Sequence, residues 1–147
     1  MKRIKIYTCG AMNGIPYDDQ IDWRKNFENY VKYYNNSGCE LVFVHPPLLY
    51  NYEVKSHYSE SEIKEYELAQ VRDSDIIVVN LDHIEKSIGA HYELSYADAM
   101  NAFGNKHIYI IGIGNAENLH PWIQLSLLRT ESDIQSAGDY ILKYLCK

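Results

Sequence analysis

The run Asp75-Ile76-Ile77-Val78-Val79-Asn80-Leu81-Asp82 narrows the fold more than any other stretch of this chain, because four β-branched residues in a row present no polar face. A strand of that kind is covered on both sides, as in parallel sheets with helices on each face. The rest of the chain alternates strand and helix signals around it. Ile4 and Ile6 open a first strand, and the loop Thr8 to Gly14 leads to a helix over about Asp19 to Tyr34 with Ile21, Phe27, Val31 and Tyr34 on one face. A second strand, Leu41 to Val44, is ended by Pro46-Pro47. Leu48 to Tyr58 has no period and carries Tyr50, Tyr52, His57 and Tyr58, so it reads as a long loop of the kind that covers sites. Ser59 and Glu62 have capping-box spacing for a helix through Arg72. Gly104-Asn105 stops the helix after the third strand, and His107 to Ile113 forms a fourth strand. A short fifth falls near Leu127 to Thr130, and Ser132 with Gln135 caps a last helix. Five strands with crossover helices predict an α/β fold: a flavodoxin-like, Rossmann-like five-stranded parallel sheet with helices on both faces.

At 147 residues and 46% apolar, the chain is long enough for one domain with a full core and too short for a second. A net charge of −6, with no basic run interleaved with aromatics, argues against a nucleic acid polymer as partner. A small molecule or a protein is expected instead. Cys9, Cys39 and Cys146 are odd in number and lack CxxC spacing, which suits three reduced thiols in a cytoplasmic protein. The start of the chain goes straight into a strand pattern without the apolar core of a signal peptide, and no segment is long enough to span a membrane.

Several ligand signatures are excluded. The first loop holds Gly10 and Gly14 but neither GxGxxG nor a Walker GK[ST] sequence, so a dinucleotide oxidoreductase is not expected. A phosphoacceptor receiver would use Asp82 after the third strand, yet the first strand ends in Thr8 and Cys9 where an acidic metal-binding pair is needed. His45, His57, His83, His91, His107 and His120 show no HxxxH or HExxH spacing, so no metal and no cofactor is expected.

The stretch most suggestive of chemistry is Ser87-Ile88-Gly89-Ala90-His91-Tyr92-Glu93-Leu94-Ser95-Tyr96-Ala97, which follows the buried strand directly. It sets a carboxylate, Glu93, in the first turns of a helix at the carboxyl end of the sheet, where open α/β sheets build their sites. Gly89 permits close approach of a ligand, and free helix N–H groups can hold an anion nearby. The plain alternative is a solvated Glu that complements the helix dipole.

Taken together, Tyr7 ending the first strand, the glycine turn, an acidic helix before Asp73-Ser74-Asp75, and Ser87-x-Gly89-x-x-Tyr92-Glu93-Leu94 resemble the nucleoside 2-deoxyribosyltransferase family. The resemblance covers most of the chain and ends with Leu119-His120-Pro121-Trp122. That family includes transferases that exchange nucleobases and N-glycosidases that hydrolyse nucleoside 5′-monophosphates. The resemblance implies a nucleoside or nucleotide substrate, with Glu93 as the nucleophile that forms a covalent glycosyl ester. Tyr7 would orient that carboxylate, or else fill the core as a strand-end aromatic. Glu67 falls where the family usually has an Asp that manages the base and its proton; Glu65, Asp73 or Asp75 are alternatives for that acid. Ser87 stands where the nucleoside transferases tend to have an acidic residue and the monophosphate hydrolases a phosphate-binding serine. With Gly89 and the helix start it would form a phosphate cradle, or it is an ordinary N-cap. Gly10 would border the substrate, His120 would reach the sugar or its 5′ end from a neighbouring subunit, and Trp122 would cover the base or pack an interface. Shared sites imply a homodimer or higher homo-oligomer. A non-catalytic nucleotide sensor of the same fold is the competing expectation, motivated by the Glu67 departure.

Overall fold

The computed structural model describes residues 1–49 and 59–147. Most of the loop expected over Leu48 to Tyr58, residues 50–58, therefore lies outside the described residues. Five strands, β1 (Arg3–Cys9), β2 (Glu40–Val44), β3 (Ile76–Asn80), β4 (Tyr109–Ile113) and β5 (Arg129–Glu131), form one sheet in the order β2-β1-β3-β4-β5. Every neighbouring pair is parallel. This is the flavodoxin-like order the sequence predicts, and chain direction reverses across the sheet between β1 and β3, the switch point where such sheets bind ligands. The helices are α1 (Tyr17–Tyr34), α2 (Pro46–Leu49), α3 (Glu60–Arg72), α4 (Ile88–Phe103), α5 (Pro121–Ser126) and α6 (Ile134–Tyr140), the last running on as a π-turn through Leu145.

Side-chain alternation along the strands builds two core layers. Ile4, Ile6, Ile76, Val78 and Ile111 pack against Phe27 and Val31 of α1 and Ala137 and Ile141 at the end of the chain. On the opposite face Tyr7, Cys9, Ile77, Val79 and Ile110 meet Val71 of α3, Leu94 and Ala97 of α4, and Ile123 of α5. The run Ile76 to Val79 is buried throughout, as its composition requires.

Sequence and structure part in several places, among them Leu48 and Leu49, which belong to α2 and not to the expected loop, and the fifth strand, which starts at Arg129 and not near Leu127. Helix α1 buries Gln20, Arg24, Phe27 and Val31, whereas Ile21 is half-buried and Tyr34 exposed. The inward stripe begins with polar residues because they bond the main chain: Gln20 Nε2 donates to the carbonyls of Met12 (2.8 Å) and Ile15 (2.7 Å), closing the loop after β1. The last helix is capped by Asp133, which accepts from the Ser136 N–H at 2.7 Å, and not by Ser132. Helix α4 begins at Ile88, so Gly89 lies inside the helix, while Glu93 sits in its second turn, within the first turns the sequence predicts.

Candidate active site

The inward stripe of α4 is Ala90, Glu93, Leu94 and Ala97, which turns Glu93 away from solvent. It is 7% exposed, so it is no solvated dipole partner. Tyr7, on β1 and fully buried, donates its hydroxyl to Glu93 Oε1 at 2.8 Å. The tyrosine thus fills the core and holds the carboxylate at once. Cys9 lies two residues along β1 on the same face, buried beside Tyr7.

Glu67, 8% exposed on the inward Ile63, Glu67 and Val71 stripe of α3, lines the same cleft as Glu93, so two buried carboxyl groups face one space. The other acids considered for this position go elsewhere. Glu65 is exposed beside Lys64, Asp73 pairs with Arg72 at the end of α3, and Asp75 accepts the Lys5 N–H at 2.8 Å.

Burial pushes the Glu93 carboxyl above its ordinary range, against the pull of Cys9, the Tyr7 bond, the Arg24 charge and Glu67. Burial, reinforced by Glu93 and Glu67, raises Tyr7 well above the phenol range, so it acts as a neutral donor. Cys9 is raised by burial and Glu93 and stays a thiol, not a thiolate nucleophile.

Two adjoining lobes of a cleft share Glu67, Ile88, Gly89 and Glu93. The smaller, about 190 Å³, is lined also by Gly10, Met12, Asn13, Lys86 and Ser87; the larger, about 370 Å³, also by Glu60, Lys64 and Tyr92. Ser87 is the N-cap of α4, its Oγ accepting the Ala90 N–H at 3.2 Å, and it borders the small lobe as well. Helix geometry leaves the N–H groups of Ile88 and Gly89 for a ligand. Among the described residues, a Cβ on Gly89 would meet no atom within 4 Å, so its place faces open space beside the cleft. Gly10 is different: a Cβ there would stand 3.1 Å from the Trp23 ring and 3.4 Å from the Arg24 guanidinium, a tight fit that would press on both side chains. Lys86 escaped the sequence reading, although a cation just before the cap of the Glu93 helix was a usable signal.

His120 and Trp122 are not brought to Glu93 within the chain. They line a separate cavity of about 620 Å³ against another face of α4, with His91, Ser95 and Asp98. His120 Nδ1 accepts the Trp122 N–H at 3.2 Å to cap α5, and Trp122 is 79% exposed. Among the described residues no group of three or more His, Cys, Asp or Glu is placed to hold a metal ion, and no helix is long and apolar enough to cross a membrane.

Fold and site define an α/β domain with a buried carboxyl pair beside the switch point of its parallel sheet. Among solved structures it is similar to Clostridium botulinum CMP N-glycosidase, BcmB, at TM-score 0.58 and 12% identity, covering 95% of this chain and 98% of that one. It is also similar to a conserved protein from Enterococcus faecalis V583, at TM-score 0.64 and 17% identity, over 96% and 98% of the two chains. At these identities the likeness establishes the shared fold. No family model and no curated protein matches the sequence.

Proposed function

We propose that the chain is an N-glycosidic-bond-cleaving enzyme of the 2-deoxyribosyltransferase type, acting on a 2′-deoxynucleoside 5′-monophosphate or the matching nucleoside. The observation that carries this reading is the buried Glu93 carboxyl held by Tyr7 at 2.8 Å with Glu67 against it, opening on the cleft at the sheet's carboxyl edge. The likeness of fold to a CMP N-glycosidase supports it.

In the first step a Glu93 oxygen bonds the anomeric carbon as the bond from that carbon to the base nitrogen breaks. The bonding pair leaves with the base, and the proton on Glu67 neutralises it. In the second, water or another base attacks the same carbon, returns the carboxylate to Glu93 and gives a proton back to Glu67. Two displacements retain configuration. Desolvation suits the chemistry, since a carboxylate stripped of water is a stronger nucleophile, while the Tyr7 bond limits the rotamers open to it.

Ser87, the N–H groups of Ile88 and Gly89, and Lys86 favour a 5′-phosphate over a free hydroxyl. His120 and Trp122 act in this reading from a second copy, whose cleft is completed by the exposed α5 surface. The test is kcat/KM for deoxynucleoside 5′-monophosphates against the matching nucleosides, with and without a second free base to reveal transfer. Charge-assisted hydrogen bonds of about 1.5–3 kcal/mol give the monophosphate at least a tenfold advantage, and Ser87→Asp reverses the order. Glu93→Ala lowers turnover by at least roughly a hundredfold in the folded protein. A nucleoside preference with efficient base exchange would reassign the site to an ordinary nucleoside transferase, and near-wild-type activity of Glu93→Ala would sink the mechanism.

A further inference from the structure

Arg24 is the largest fully buried side chain among the described residues. Its nitrogens donate to three main-chain carbonyls: Nε to Thr8 at 3.3 Å, Nη1 to Gln20 at 2.6 Å and Nη2 to Gly10 at 3.4 Å. The guanidinium carbon lies 4.6 Å over the Trp23 ring. None of the ion pairs among the described residues includes it. A neutral donor would satisfy carbonyls without the desolvation penalty of a cation, so a buried guanidinium bonded to carbonyls needs a negative charge within reach. Thr8 and Gly10 flank Cys9; Tyr7 and Cys9 of β1 lie on the Glu93 side of the sheet, and Gly10, just after β1, lines the cleft.

We propose that Arg24 is a positioning residue for the nucleophile: it pins the end of β1 that carries Tyr7 and Cys9, and it supplies the fixed positive charge that lets Glu93 stand ionised beside Glu67. The inference rests on the reading of Glu93 as the reacting group. Tyr7 and Cys9 stand beside the carboxyl pair on β1, with Lys86 at the rim of the small lobe and Lys64, Glu60 and Tyr92 in the larger; Arg24 reaches the same end of β1 from α1, at the carbonyls of Thr8 and Gly10. His45, after β2, also feels the Arg24 charge. Burial lowers Arg24 from the arginine range, while Cys9, Glu93, Tyr7 and Glu67 pull it back. An arginine keeps its proton at every working pH, so the charge it lends the site does not titrate away.

The test uses the substrate-free protein, so it does not depend on turnover. Carbon-13 carboxyl spectra of glutamate-labelled protein, with the Glu93 signal assigned by its loss in Glu93→Gln, give the ionisation midpoint of Glu93. In Arg24→Gln that midpoint moves up by roughly one pH unit or more, the scale of removing an opposite charge close to a carboxyl group. Arg24→Lys, which keeps the charge and loses the fork of carbonyl bonds, stays near wild type. A folded Arg24→Gln with an unmoved midpoint would overturn the proposal and leave Arg24 as a pin for the loop alone. Should Arg24→Gln not fold, the wild type decides: the Arg24 Nε–H resonance follows the Glu93 midpoint on titration and loses that step in Glu93→Gln, and a flat response refutes the coupling. An inactive wild type that shows the shift rejects the glycosidase reading and keeps the electrostatic role of Arg24. An active wild type without the shift does the reverse.

Discussion

Replacing Tyr7 by Phe removes one oxygen and keeps the ring, which isolates the hydrogen bond from the packing. The bond is 2.8 Å long, buried at both ends, and its acceptor carries charge when the site is ready to react. A bond of that kind is worth about 1.5–3 kcal/mol, or about one to two pH units when expressed in the protonation of its acceptor. Its loss falls first on the fraction of Glu93 that is ionised. The acid limb of kcat/KM in Tyr7→Phe is therefore displaced upward by about one to two units, a tenfold to hundredfold loss on that side. On the alkaline side, where Glu93 is ionised in both proteins, only the loosened rotamer remains and the curves draw together. Base release from a deoxynucleoside monophosphate across the pH range measures this directly. Parallel profiles, with the variant merely less stable, would refute the reasoning and return Tyr7 to the role of a core aromatic.

Glu93→Gln trades activity for stability. Because burial raises the native carboxyl above its unfolded value, the stability tied to its proton is whole below the unfolded carboxylate range and is lost as pH rises through the native value. Thermal melts of the variant and wild type converge near pH 4 and separate in favour of Gln toward about pH 8; equal melting points at both ends would contradict the burial argument. Gly89→Ala, whose new Cβ meets no atom of the described residues, stabilises α4 by up to about 1 kcal/mol and raises KM by entering the cleft, whereas a fall in melting temperature would show an unseen clash. Mixing Glu93→Ala with His120→Ala subunits restores partial activity if His120 serves a neighbour's cleft, and no recovery after verified subunit exchange would confine each site to one chain.

The sequence was most legible where side-chain chemistry and burial agree. The Ile76 to Val79 run can only be a covered strand, the Ser59 cap appears as a Glu62 N–H to Ser59 bond at 3.2 Å, and the strand order follows from crossover connections. Legibility failed where a polar side chain is buried to serve the main chain. Gln20 and Arg24 lie on the inward stripe of α1, but nothing local distinguishes them from surface residues, since their carbonyl partners at positions 8, 10, 12 and 15 are set by the loop's path. The same holds for His45, whose ring joins Thr8 Oγ1 at 2.7 Å and Glu28 at 2.6 Å across three elements. Spacing searches for metal ligands pass over such a histidine. For Glu67, spacing left four acids open, and only the direction of α3 against α4 sends one of them to Glu93.

What separates a reactive site from a well-made core here is the direction of the energetic compromise. A fold selected for stability alone would place Leu at 93 and 67 and an apolar residue at 24, since replacing buried ionic groups by packed hydrophobic ones is often neutral or stabilising. Instead Glu67, Glu93 and Arg24 are sunk together at the end of β1, each at most 8% exposed, in surroundings that resist charge on the carboxyl and the guanidinium alike. Their arrangement sets two carboxyl groups on the cleft and one permanent cation at the end of β1. Removing the Tyr7 hydroxyl frees the Glu93 carboxyl to turn. The β-branched sheet beneath supplies the stability that this arrangement draws on, with Ile76, Ile77, Val78 and Val79 packed on both faces two strands deep from the cleft wall to the far helices. Two buried carboxyl groups that open on a cleft, with a buried guanidinium bonded to the strand end beside them, are the pattern expected of a site proposed to act on a bound molecule.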